Sequence, residues 1–206
     1  MKKILLIRKA KIYIHVELDD GAKLVLKEDT VAKHMLYKGM MLDDEKITEI
    51  LSDDGKQRAL EKAANYLGYG MKTTKQVKDK LKEKGADEES IDYAIEKLSE
   101  YRYIDDNEYA RLYAQQNAKK YGVKMIENKL RQKGVSANIA KEAAKSVANS
   151  QEEAAKALLE KLSRKYAGLD EHKKKQKMYE ALMRKGFEWG KVSHLLKVDY
   201  DDGFEE

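Results

Sequence analysis

One pentapeptide pattern, Leu-x-x-Lys-Gly, occurs three times in this chain: Leu81 to Gly85, Leu130 to Gly134 and Leu182 to Gly186. The glycines Gly85, Gly134 and Gly186 stand 49 and 52 residues apart. A fixed period of this length is the mark of a tandem repeat, and it constrains the fold more than any other feature. The register extends outward. An apolar residue sits four positions before each Leu (Val77, Ile126, Met178), and a Tyr about twenty before each Gly (Tyr66, Tyr113, Tyr166). A β-branched residue follows five or six positions later (Ile91, Ile139, Val192). Residues at i and i+4 share a helix face, so Val77 with Leu81 predicts one apolar stripe. A lysine in the last turn suits the helix dipole, and glycine supplies the left-handed residue that ends the helix. Asp87 and Ser136 then stand where the next helix needs an N-cap. Each unit reads as helix, helix, glycine turn, helix. A single unit is small for a core of its own, so an elongated stack of three is expected.

The N-terminal part reads differently. Lys11 to Leu18 is β-branched and aromatic, Asp19-Asp20-Gly21-Ala22 is a turn, and Lys23 to Lys27 returns as a second strand. Ile4 to Ile7 is a candidate third strand. Glu28 to Lys38 and Asp43 to Leu51 are expected as short helices, and Ser52-Asp53-Asp54-Gly55-Lys56 has loop composition. The expected organisation is therefore a mainly α chain. A hairpin-containing region spans 1–57, helical repeats span 58–104, 105–149 and 150–198, and an acidic tail covers 199–206.

Composition fits this reading and removes several function classes. Of 206 residues, 38% are charged, against about 25% in an average domain. That excess suits many solvated helix faces. With no proline, helices run uninterrupted, and with no cysteine, disulfides, thiolate metal sites and Cys nucleophiles are excluded. The first apolar run ends at Arg8-Lys9, too short for a signal peptide, and nothing approaches the roughly 20 apolar residues of a membrane span. A cytoplasmic monomer with no membrane association is expected. Net charge is only +5, but 72–84, 119–133 and 161–185 are basic while 87–108 is acidic. Basic stripes of this kind suit phosphates or an acidic protein face.

No catalytic constellation emerges, and neither cofactor nor metal is expected. The four histidines are dispersed. Gly68-Tyr69-Gly70 lacks the remaining features of a nucleotide fingerprint. Asp105 and Asp106 could hold a divalent ion as nucleases do. The simpler reading is a helix start, with Asp105 as N-cap and Glu108 closing a capping box before Tyr109 and Tyr113. The tyrosines could stack on bases of a single strand, but their helical spacing favours core packing.

The segment Tyr101-Arg102-Tyr103-Ile104-Asp105-Asp106-Asn107-Glu108-Tyr109-Ala110-Arg111-Leu112-Tyr113 resembles a signature of the RecX family. So do Tyr66-Leu67 ahead of it and Gly122, Ile126, Leu130, Lys133, Gly134 and Val135 behind it. The likeness covers about residues 58–198 and is sharpest over 59–147. The chain departs from the family pattern at Gly70, Arg102 and Tyr121-Gly122-Val123. The resemblance implies a non-enzymatic regulator that binds the RecA recombinase and its filament on DNA. It would lie along the filament groove and restrain ATP hydrolysis and strand exchange. The expected contacts to filament or DNA are Lys72, Lys75, Lys78, Lys119, Lys120, Lys124, Lys129 and Arg131. Binding to single- or double-stranded DNA alone should be weak and sequence-tolerant. The alternative is a stand-alone helix-turn-helix DNA-binding regulator, disfavoured in the first repeat by its acidic third helix.

Overall fold

The computed structural model describes residues 1–196; the acidic tail expected at 199–206 lies outside them. The described chain is mainly helical, with one small antiparallel sheet at its start. Contacts divide it into two compact units. The first comprises Met1–Lys72 and Gln76–Ile104; the second comprises Thr73–Lys75 and the chain from Asp105 onward.

In the first unit, β1 (Lys2–Ala10), β2 (Tyr13–Leu18) and β3 (Lys23–Lys27) form a meander, and β4 (Met41–Leu42) adds to β1. The strand order is β3-β2-β1-β4, with all pairs antiparallel. Strand β2 alternates strictly between buried and half-buried residues, as period-2 side chains require. Its buried set, Ile14, Val16 and Leu18, meets Ile4, Leu24, Leu26, Leu42 and Ile50 in one core. Candidate strand Ile4 to Ile7 is thus the centre of β1. The two-residue strand β4 carried no sequence signal of its own.

Two local expectations are corrected. The helix expected over Glu28–Lys38 is only α1 (Glu28–Lys33), because the chain leaves the helix at His34 and turns through Met35 at φ 48°. The loop expected at Ser52–Lys56, with its boundary after residue 57, lies inside α2 (Asp44–Leu67), a single 24-residue helix. Local composition loses here to tertiary contacts. Ser52 donates to Glu89 at 3.3 Å. Asp53 receives Lys33 at 2.7 Å and His34 at 2.8 Å. Asp54, 4% exposed, accepts from the Lys27 amide (2.6 Å) and the Thr30 hydroxyl (2.9 Å). Gly55 lies so close to another helix that a Cβ there would sit 2.7 Å from the Ser90 hydroxyl. Arg58, one turn beyond Asp54, pairs with it and donates to the Val25 carbonyl. Val25 and Lys27 belong to β3, the outer strand, so Asp54 and Arg58 occupy backbone groups that a neighbouring strand would otherwise use.

The repeats follow. α2 is succeeded by α3 (Thr74–Glu83) and α4 (Glu88–Glu100). The second unit continues with α5 (Asp106–Asn117), α6 (Val123–Gln132) and α7 (Ala137–Ser146). It ends with α8 (Gln151–Lys165), α9 (Glu171–Arg184) and the one-turn α10 (Trp189–Val192). The three motif glycines have φ of 75°, 89° and 77°. Each closes the same pair of bonds. The Gly amide donates to the carbonyl three residues back (Lys82, Arg131, Met183), at 2.9 Å each time. The next amide (Ala86, Val135, Phe187) donates to the motif Leu carbonyl, at 3.1 Å each time. This is a Schellman cap, and its usual apolar contact joins that next residue to the motif Leu. Leu81, Leu130 and Leu182 are at most 1% exposed, each in its own repeat core.

Candidate functional site

The site builds from helix ends in the second unit. Asp105 caps α5, accepting from the amides of Asn107 (2.8 Å) and Glu108 (3.0 Å). The capping box expected with it does not close, because Glu108 turns outward to Arg111 at 2.6 Å. Asp106 serves a different helix start: its carboxylate accepts the amide of Thr74 at 2.8 Å, within the second unit. Both carboxylates are thus engaged by backbone amides, and they form no metal-binding group with other acidic residues among the described residues.

Across α6 the N-terminal amides are likewise consumed. Gly122 donates to the Lys185 carbonyl (2.8 Å), Val123 to the Gln151 side chain (3.0 Å) and Lys124 to the Gly186 carbonyl (3.2 Å). A helix N-terminus can hold an anion only while its amides are free. With these three amides taken, an anion attracted here is met chiefly by side chains.

Those side chains gather around two tyrosines. Lys129 lies 5.0 Å and Lys185 4.8 Å from the ring centre of Tyr121. Lys133 lies 5.6 Å over Tyr113, which stacks on Tyr109 at 6.2 Å. Each contact of a cation with a ring face contributes about 0.5–1 kcal/mol at an exposed site. It orients the ammonium group without neutralising it. Burial, then the neighbouring Tyr109 and Tyr121, push the Tyr113 hydroxyl above its ordinary pKa, so it stays neutral at physiological pH. Lys119, Lys120, Lys124 and Arg131 are exposed nearby in sequence. Among the described residues, none of these seven cations has a carboxylate within ion-pair distance.

The expected contact residues therefore divide. Lys129 joins this cluster, and Lys119, Lys120, Lys124 and Arg131 stand exposed on the same repeat. Lys75 packs against Gly134 within the second unit. In the first unit Lys78 is committed to Asp92 at 2.7 Å, and Lys72 folds over Tyr66 and donates to the Gly70 carbonyl at 3.0 Å. Sequence reasoning missed Tyr121, Lys133 and Lys185 as site residues. The signal present is the lysine of the repeat motif itself, whose position at a helix end also suits the helix dipole.

A second cluster, also missed, lies in the first unit. His34 presents Nε2 to Asp53 (2.8 Å) and Nδ1 to Glu49 (3.9 Å). These three could in principle surround a cation. However, the ring nitrogens face opposite ways to separate carboxylates, and Lys33 and Lys46 already neutralise them at 2.7 and 2.8 Å. The arrangement is an ion-pair tie between the end of α1 and α2. The Lys33 ammonium, then the His34 ring, hold the Asp53 carboxyl below its ordinary value.

Three tandem three-helix modules, closed by identical caps and carrying cations aligned on tyrosines, define a helical-repeat protein assembled from modules. Family models agree module by module: the first RecX three-helix domain matches residues 59–98, the second 105–143 and the third 150–196. The chain belongs to the RecX family. It is 34% identical to the regulatory protein RecX of Bacillus licheniformis, over 93% of this chain and 75% of that one. It is 28% identical to that of Clostridium acetobutylicum, over 95% and 94%. A crystal structure of regulatory protein RecX superposes with TM-score 0.76 at 31% identity, covering 96% of this chain and 99% of the other. That of RecX from Lactobacillus salivarius gives 0.66 at 30%, covering 70% and 96%. No helix among the described residues is long and apolar enough to cross a membrane.

Proposed function

We propose that this protein is a cytoplasmic modulator of the RecA recombinase, binding the filament on DNA and restraining its ATP hydrolysis and strand exchange. It acts by binding rather than by catalysis. The observation that carries this reading is the set of uncompensated cations on the second repeat and at the end of α9. Lys129, Lys133 and Lys185 are held on tyrosine faces, and Lys119, Lys120, Lys124 and Arg131 are left to solvent. An acidic protein groove or a phosphate backbone complements such a set, and both are features of a nucleoprotein filament. Weak contacts from several modules add by avidity. DNA alone should bind weakly, without sequence preference and with steep salt dependence, because few phosphates are neutralised.

The test is direct. RecA from the same source is assembled on single-stranded DNA, and ATP hydrolysis is followed as the protein is added. Inhibition at stoichiometric amounts is expected. No change in hydrolysis at that ratio sinks the reading.

A further inference from the structure

The first and second repeats differ at one packed position. In the second, the ring of Tyr109 stacks on Tyr113, four residues further on, with an interplanar angle of 13°. Four residues before the equivalent Tyr66 stands Lys62, which carries no ring. Lys62 instead spans to the Lys84 carbonyl at the end of α3, at 3.2 Å. A hollow of about 300 Å³ lies between α2 and α3, walled by Tyr66 and Tyr69, floored by Leu81 and rimmed by Lys62, Lys80 and Lys84. This is the small end of the range for ligand clefts, about 300–1,000 Å³.

We propose that this hollow receives one nucleoside phosphate. The base stacks on Tyr66 in the place that Tyr109 occupies on Tyr113, and the phosphate is met by the ammonium groups of Lys62, Lys80 and Lys84. A flat ring satisfies the aromatic wall, and an anion satisfies the rim; a neutral aromatic or a bare phosphate satisfies only one. A second hollow that also touches Tyr66 and Lys80 is lined by Asp79 and Glu83 as well, and suits an anion less. Glu83 also pairs with Lys80 at 2.7 Å and Lys84 at 3.8 Å, so it competes with the phosphate for two of its three cations. The nucleotide can be free or part of a single strand, since base and phosphate are common to both. This site lies in the first unit, and its occupancy does not depend on the cations of the second repeat.

The experiment titrates the whole protein with AMP, adenosine, inorganic phosphate and a single-stranded tetranucleotide, following the ring signals of Tyr66 and Tyr69 by NMR. AMP should bind saturably, with adenosine and phosphate each at least tenfold weaker. Lys62→Tyr supplies the missing ring. It should abolish binding while melting no lower than the parent. Glu83→Gln, at an exposed position, should tighten binding several-fold by freeing Lys80 and Lys84. A tetranucleotide bound tenfold tighter than AMP identifies a strand as the source, and equal affinity identifies the free nucleotide. Two results overturn the proposal. One is the absence of saturable binding by both AMP and tetranucleotide below about 10 mM. The other is a folded Lys62→Tyr that binds as the parent does. Neither readout involves RecA, so failure here leaves the filament reading standing, and the reverse also holds.

Discussion

The lysines of α3 and those of α6 occupy equivalent helices in consecutive repeats, yet their charges are used differently. On α3, Lys78, Lys80 and Lys82 are met by Asp92, Glu83 and Glu88 at 2.7–3.2 Å. On α6 and the turns beside it, Lys129, Lys133 and Lys185 meet tyrosine rings. A carboxylate cancels a lysine's field, whereas a ring face fixes its position and leaves the field intact. Counts of basic residues therefore overstate the charge that α3 offers to an anion, Lys80 included for as long as Glu83 holds it. The partners, not the lysines, separate the two.

The largest expected effect tests what the two repeats share. Leu81 and Leu130 are both essentially fully buried behind the same cap. Leu81→Ala and Leu130→Ala should each cost about 2–5 kcal/mol in denaturant unfolding. Leu130→Asp should fail to fold the second unit, because it buries an unpaired carboxylate. If one alanine variant were nearly neutral, the repeats would not be architecturally equivalent.

The next effect tests what they do not share. Reversing Lys129→Glu with Arg131→Glu should weaken filament binding tenfold or more, equivalent to about 1.4 kcal/mol. Stability should move by no more than about 0.5 kcal/mol per substitution. Swapping a cancelled pair, Lys78→Asp with Asp92→Lys, should leave filament binding within about twofold, or 0.4 kcal/mol, since that pair carries no net charge either way round. Equal losses from both pairs would remove the distinction.

Caps come third. Asp87 and Asp105 each accept amides at a helix start, so replacing either with Ala should lower stability by about 0.5–2 kcal/mol. Thermal melts should give similar losses for the two, because capping is local and blind to the wider charge balance.

Acid gives the smallest and most selective effect. Lys80, first by its hydrogen bond, holds the Glu83 carboxyl below its ordinary value, and a Ser90 amide does the same for Asp87. A lowered folded pKa means the contribution is complete above the ordinary carboxylate value and is lost as pH falls through the lowered one. Loss of the Glu83 charge as pH falls through that lowered value should therefore release Lys80 while the lysine–tyrosine contacts of the second repeat persist. Carboxyl and lysine NMR shifts followed from pH 6 to pH 2 would reveal this, and lysine signals of both repeats moving together would contradict it.

Legibility followed the range of the chemistry. The three glycine turns were readable because a helix end is settled within six residues: a positive φ, an apolar residue just beyond, and a Leu carbonyl to receive it. The β-hairpin was readable for the same reason. Ser52 to Gly55 were misread because their partners lie elsewhere in the chain, at Lys27, Lys33, Glu89 and Ser90. The candidate site was half legible. Lys129 and its exposed neighbours stood out as a basic stretch. Tyr121 and Lys185 are 64 positions apart, and no local pattern joins a ring to a cation over that distance.

The uninterrupted α2 has a consequence for how this molecule opens and closes. By its length of 24 residues it is a rod of about 36 Å. Its first half seals the sheet through Asp53 and Asp54, and its second half, with Ala59 and Ala63, forms a wall of the first repeat. Neither half can fray without exposing the other's core, so sheet and repeat must form one foldon with a single slow hydrogen-exchange class. The first module is thereby the one that cannot be exchanged for another copy: a recombined chain joined at residue 57 would sever the rod rather than a linker.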